Sequence, residues 1–202
     1  MGQLQGKVAL ITGSGRGQGL AAAKRFTAEG AKIVINDLDE QSVNSAIAAV
    51  RTAGGEAVGA VGDVSKAADV QRVLAVAKEK LGGIDILYNN AGIGYSANKR
   101  FGVAMTDILH CSEEDWQRIL DINIGGVFLF CKYGIPMLID RGGGVIINTV
   151  DCRAPRSGRR SCVYRDERSN RRPYSCDCGD LWAERNPRQY DLSGSDRYRN
   201  DS

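Results

Sequence analysis

Lysine disappears from this 202-residue sequence after Lys132, and beyond Val150 there is no isoleucine, phenylalanine or methionine either. A segment so poor in large apolar side chains buries too little surface to offset its ordering entropy. Residues 151–202 are therefore excluded as a second independent domain. Histidine occurs once, at His110. Its neighbour Cys111 makes a pair but not the four-ligand set of a structural zinc site, so no metal is expected. The opening stretch MGQLQGKVALITG lacks the basic-then-apolar form of a signal peptide. No apolar run reads as long enough to span a bilayer. The expectation is a cytoplasmic protein with no membrane partner.

Charge divides the chain at the same place. Residues 1–150 hold 15 basic and 15 acidic side chains, whereas residues 151–202 hold 12 arginines and nine acids and so supply the whole net charge of +3. Four of the six cysteines also lie in that tail.

What is present before Val150 is regular. The runs KVALITG, KIVINDL, EAVGAVGDV, IDILYNNAG and GVIINTV are short, rich in Val and Ile, and apolar on both faces. Strands of that kind belong in a parallel sheet covered by helices. Helical patterns over Gly19–Glu29, Glu40–Ala53, Lys66–Leu81 and Glu113–Asp140 separate them. Ser112 with Asp115 three residues later forms a capping box for the last of these. The alternation predicts an α/β fold, a Rossmann-like doubly wound parallel sheet over residues 1–150. The sheet is expected to be truncated after its fifth strand, which becomes an open edge, with an irregular or disordered tail over 151–202. Trp116 and Phe128 fall at apolar helix positions and read as core, and Cys131 reads as a small buried apolar group.

Between the first strand and the first helix lies TGSGRGQG, Thr12 to Gly19. Glycines there let the backbone approach a pyrophosphate, while the helix N-terminus offers free N–H groups and a positive dipole end. The same loop could be an ordinary βα turn. An acid closing the second strand, Asp37, distinguishes the two, because its carboxylate can accept from ribose hydroxyls and repels a 2′-phosphate. NAD is thus favoured over NADP. Arg16 pulls the other way as a possible phosphate contact, or is a solvated loop charge.

The spacing T-G-x-x-x-G-x-G resembles the classical short-chain dehydrogenase/reductase family, and later segments extend the resemblance. GDV at Gly62–Val64 is similar to the family's turn after strand three, NNAG at Asn89–Gly92 to the motif closing strand four, and GGGVIIN to strand five. DINIGGVF places Asn123 where the family has a helix asparagine. The resemblance implies that Thr12, Gly13, Ser14, Arg16, Gly17 and Gly19 hold the dinucleotide, together with Asp37. It implies that Asp63 and Val64 hold the adenine, that Asn90, Ala91 and Gly92 line the cofactor, and that Asn123 props a water in the catalytic proton relay. It further implies hydride transfer between NAD and a small alcohol or ketone, and a homotetramer. The stretch Gly94–Cys111 could shape a substrate mouth or be a surface loop.

The family's serine and Tyr-x-x-x-Lys are missing. A phenol with an ordinary pKa of about 10 needs a nearby cation to act as a base at neutral pH. After strand five, however, Tyr164 is followed four residues on by Arg168 rather than by lysine. Reading the codons one base later permits serine at Val150, tyrosine at Val163–Tyr164 and lysine at Glu167–Arg168. The same shift permits a helix and a sixth strand in the family's style beyond them. This points to a change of reading frame near Thr149–Asp151. Two other readings stand beside it: a non-catalytic nucleotide-binding protein, or a tail whose arginines and Cys152, Cys162, Cys176 and Cys178 bind nucleic acid or zinc. The nine acids and the C-x-C spacing argue against the last, so no nucleic-acid partner is expected.

Overall fold

The computed structural model describes residues 2–93, 109, 111–150 and, as backbone, 160–165. The elements in order are β1 (Val8–Thr12), α1 (Gly17–Ala28), β2 (Lys32–Asp37), α2 (Glu40–Thr52), β3 (Ala57–Val61), α3 (Ala67–Leu81), β4 (Ile86–Asn89), α4 (Glu113–Leu120), a π-helical turn (Asp121–Gly125), α5 (Gly126–Asp140), β5 (Val145–Val150) and β6 (Arg160–Arg165). They form a sheet of order β3-β2-β1-β4-β5-β6. The first five strands are parallel. This is the doubly wound arrangement expected, and the chain reverses direction across the sheet between β1 and β4.

The pleat sorts the strand residues into two cores. Val8 and Leu10 of β1, with Val34 and Leu87, face α3 and α5, where Val70, Leu74, Phe130 and Leu138 complete one cluster. Ala9 and Ile11, with Ile33, Ile35 and Tyr88, face α1 and α2, where Ala23, Val43 and Val50 complete the other. Asp39 caps α2 by accepting from the Ser42 N–H, and Ser112 caps α4 by accepting from the Asp115 N–H at 3.1 Å, as its sequence spacing predicts.

Three details depart from the sequence reading. The outer edge of β5 is not open: β6 pairs with it antiparallel, Val145 opposite Arg165 through Val150 opposite Arg160. An antiparallel neighbour can follow through a short link, whereas a parallel one needs a crossover of a dozen or more residues. RSCVYR also supplies Val, Tyr and Cys to a strand. The remainder of the tail lies outside the described residues. Second, Trp116 and Phe128 are not core; they are 47% and 60% exposed. Phe128 shares the outer face of α5 with Ile135 and Ile139, while Gly126, Phe130, Gly134 and Leu138, four apart, form the row that meets the sheet. Third, Glu113–Asp140 is a continuous helical segment of 28 residues, long and apolar enough to cross a membrane by length and composition. Its buried row against α3 and β4 makes it a sheet-covering helix, and the π-helical turn marks where its two α-helical parts change phase.

At the opposite end of the sheet from the strand C-termini, Asp85 ties three strands together. Its Oδ2 accepts from the Val8 N–H at 2.9 Å and from Arg141 at 2.8 Å, and Lys7 lies 3.6 Å from Oδ1. Burial works against its ionisation, but the Arg141 and Val8 hydrogen bonds and the two cationic charges outweigh that and hold the carboxyl below its ordinary range. A depressed carboxylate stabilises the fold above its unfolded pKa of about 3.9 and loses that contribution as pH falls through the folded value. Asp85→Asn should therefore cost about 1–3 kcal/mol at pH 7, read by urea denaturation. The difference from the parent should shrink as pH is lowered below about 4.

Candidate functional site

The C-terminal ends of β1 and β4 part at the reversal point, and a cleft of about 470 Å³ opens there. In open α/β sheets this crevice is where ligands bind. Of the residues read from sequence, Gly13, Arg16, Gly17, Gly19, Asp37, Asp63, Val64, Asn90, Ala91, Gly92 and Asn123 line it. The structure brings together residues 110 positions apart because β1, β2, β3 and β4 all end on the same side, where the π-helical turn with Asn123 also lies.

Thr12 and Ser14 are the exceptions. Both are buried and turned into the protein. The Thr12 hydroxyl accepts from the N–H groups of Asn90 at 3.0 Å and Ala91 at 2.9 Å. The Ser14 hydroxyl donates to the Ile11 carbonyl at 2.6 Å and accepts from the Asn36 N–H at 3.1 Å. They shape the loop from behind. Asn90 completes the lacing, its amide donating to the carbonyls of Thr12 at 2.9 Å and Gly13 at 3.2 Å.

Glycine is required at two of the loop positions for different reasons. Gly13 has φ +61° and a Cβ there would stand 2.8 Å from the Ala91 Cα. At Gly19 a Cβ would meet the Gly13 carbonyl oxygen at 2.5 Å, so any side chain would push α1 off the loop. Arg16 precedes α1 with an extended backbone, no side chain caps the helix, and its first turn carries no acid. Its N-terminal N–H groups and positive dipole end thus stand at the cleft.

On the other wall, Asp37 accepts from the N–H groups of Gly15 at 3.1 Å, Leu38 at 2.9 Å and Asp39 at 3.4 Å. A carboxylate has about four lone-pair positions, so Asp37 keeps acceptor capacity toward the cleft while three donors hold it rigid. The Asp63 carboxylate accepts from the N–H and hydroxyl of Ser65 at 3.0 and 2.7 Å. Its own N–H donates to Asp69 at 2.9 Å. That backbone bond and the Arg72 hydrogen bond, against opposing burial, hold the Asp69 carboxyl below its usual range. Asp69 is a supporting residue the sequence reading missed; its only signal was an acid in the first turn of α3. Asn36 was missed as well. Its amide donates to the carbonyls of Ala60 at 2.9 Å and Gly62 at 3.2 Å, joining the heads of β2 and β3 under the cleft.

Asn123 sits in the π-helical turn and holds both backbone groups of Ile93: its Oδ1 accepts from the N–H and its Nδ2 donates to the carbonyl, each at 2.8 Å. The wall it completes includes Ile93, Ile122, Val127 and Thr149. Cys131 is half-buried, and burial pushes its thiol pKa up even though Asn89 donates to the sulfur at 3.7 Å. It packs against the core cluster under α3 and α5 and is inert rather than a nucleophile. Among the described residues no group of His, Cys, Asp and Glu could hold a metal ion. His110, most of the Gly94–Cys111 stretch and the tail cysteines, Cys162 in its side chain, lie outside the described residues.

The glycine loop and open helix end thus present N–H donors, and Asp37 and Asp63 present carboxylate acceptors, at one cleft. Comparison with known proteins shows the family. A family model described as short chain dehydrogenase matches residues 7–165. An uncharacterized oxidoreductase of Thermotoga maritima is 40% identical over 161 residues, which cover 79% of this chain and 59% of that protein. A 2,5-dichloro-2,5-cyclohexadiene-1,4-diol dehydrogenase of Sphingobium indicum is 42% identical over 146 residues, 72% of this chain and 55% of its own. The solved structure of an NAD+-bound xylitol dehydrogenase superposes with a TM-score of 0.67 at 33% identity, covering 74% of this chain and 54% of that one. The chain thus spans between half and three-fifths of the length of these proteins. With a family model matched over residues 7–165, a span that holds the glycine loop and the GDV and NNAG turns, and relatives about 40% identical, this chain belongs to the short-chain dehydrogenase family.

Proposed function

We propose that residues 1–150 bind NAD across the head of the sheet, and that the 202 residues as written carry no turnover. The observation that carries the first part is the convergence, in one cleft, of an uncapped helix N-terminus at Gly17 with the rigidly held carboxylate of Asp37. The helix end and glycine loop suit the pyrophosphate, and Asp37 suits the ribose hydroxyls of the adenosine half. Asp63 and Val64 flank the adenine, and Asn90 to Gly92 run along the other half. The negative charge of Asp37 selects NAD over NADP, with Arg16 as the weaker opposing influence.

NAD supplies a hydride acceptor when bound. What the chain must add is a proton-handling group beside the reacting oxygen, and its usual bearers are absent. No lysine follows Lys132, and no serine closes β5. Asn123 stands at the cleft in the place of the relay asparagine, with both ends of its amide already engaged on Ile93. A frame restored near Thr149–Asp151 would supply the serine, tyrosine and lysine. The repaired protein is then an NAD-dependent oxidoreductase of small alcohols or ketones, a cytoplasmic homotetramer in the manner of the family, with no nucleic-acid or membrane partner. As written, these 202 residues carry the nucleotide-binding elements without the serine, tyrosine and lysine that the family's chemistry uses.

Four outcomes are expected. Binding should be weak but measurable: at a tenfold excess over the dissociation constant, NAD should raise the melting temperature by about 3–6 °C. Asp37→Ala should narrow the preference for NAD over NADP about tenfold, a loss of about 1.4 kcal/mol of discrimination, read by the same shift with each nucleotide. The purified 202-residue protein should show no oxidation of a panel of secondary alcohols, and resequencing the gene around Val150 should show a one- or two-base discrepancy. Dehydrogenase turnover by this chain would refute the second part of the proposal. An intact reading frame would remove the explanation by sequencing error.

A further inference from the structure

Tyr88 is the third residue of β4, with Ile11 of β1 and Ile147 of β5 as its register neighbours, and the pleat turns it onto the α1 face of the sheet. The ring is buried and stacks on Phe26 of α1, centroids 6.3 Å apart and planes 30° off parallel. That stacking fixes where the phenol oxygen lies. Gln18 Nε2 donates to it at 3.5 Å and Thr149 Oγ1 at 3.2 Å. Gln18 is the second residue of α1, and Thr149, two positions beyond Ile147, is on the same face of β5 near its end. Both side chains line the cleft, whereas Tyr88 lies beneath it.

A buried tyrosine needs a partner for its hydroxyl, and a phenylalanine would fill the same space with no such need. The tyrosine therefore has a consequence outside the core: it joins the first turn of α1 to the end of β5, on either side of the strand that carries it. Its bond to the Gln18 amide nitrogen is the one hydrogen bond of that side chain among the described residues. The Gln18 carbonyl oxygen is left as an acceptor for the cleft's occupant.

The geometry points to Tyr88 as a positioning residue: its hydroxyl orients Gln18 and Thr149 so that Gln18 can accept from an amide N–H or ribose hydroxyl on the half of the dinucleotide that lies away from Asp37. This rests on the reading of the cleft as a nucleotide site. Because Asp37 and Asp63 take the adenosine end, AMP should not sense Tyr88, and NAD should.

The test titrates the full chain, isotope-labelled for amide shifts, with NAD and separately with AMP. Parent, Tyr88→Phe, Gln18→Leu and the double variant are compared. Tyr88→Phe should weaken NAD about three- to tenfold, the scale of one lost hydrogen bond, and leave AMP within about twofold. Gln18→Leu should do the same, and the double variant should lose no more than either alone. Unchanged NAD affinity in Tyr88→Phe would overturn the inference. So would an equal loss for NAD and AMP, which would mean that the phenol only supports the fold. A parent chain that binds neither nucleotide would sink the site reading and this inference with it. A parent that binds both, with no difference between ligands in Tyr88→Phe, sinks this inference alone.

Discussion

The Thr12 hydroxyl receives two backbone N–H groups from the turn just after β4, the neighbouring strand in the sheet, and the rest of the site depends on that bond pair. β1 and β4 are parallel neighbours whose connections leave in opposite directions, so nothing in the ladder itself holds their ends together past Ile11 and Tyr88. Thr12 and Asn90 do so from both sides, joining side-chain and backbone groups that would otherwise be buried without partners. With those two ends fixed, Gly13 can pass within contact of Ala91 and α1 can start where its free N–H groups look into the cleft. The cleft is therefore a property of how two strands finish, more than of any residue that lines it.

Much of this was legible in the sequence because the signals are local and redundant. Five Val- and Ile-rich runs separated by helical periods leave few other ways to cover a parallel sheet than the doubly wound one, whose order β3-β2-β1-β4-β5 the structure supplies. Asp37 was legible because it closes a strand at a fixed distance from a glycine loop. Thr12 and Ser14 were read as ligand contacts, yet they support the loop from the interior. A motif marks position along the chain, and it cannot say which way a side chain turns. Trp116 and Phe128 misled for a related reason: a helix with apolar residues on more than one face does not announce which face meets the sheet. Asn36 and Asp69 carried almost no signal, since their work is to satisfy carbonyl and N–H groups supplied by other elements.

The two halves of the sequence differ in a way that physics makes visible without any alignment. Before Val150 the Val- and Ile-rich runs and the helical periods of the described residues agree with the fold; after it the composition no longer provides material for a core, although a six-residue strand still finds the free edge of β5. An edge of unpaired backbone groups accepts any nearby segment of suitable β-propensity. Pairing at β5 is thus weaker testimony to a designed sheet than the parallel ladders on its other side.

The π-helical turn at Asp121–Gly125 carries a cost that falls on length rather than on composition. Each residue added to or taken from a helix swings everything beyond it by about 100°. Asn123 can embrace the Ile93 backbone, and Phe130, Gly134 and Leu138 can lie against the sheet, only while the widened turn keeps its full complement of residues. Substitutions in that turn are negotiable one atom at a time. Shortening it by a single residue would force a choice between the cleft wall and the core, since one rotation cannot serve both.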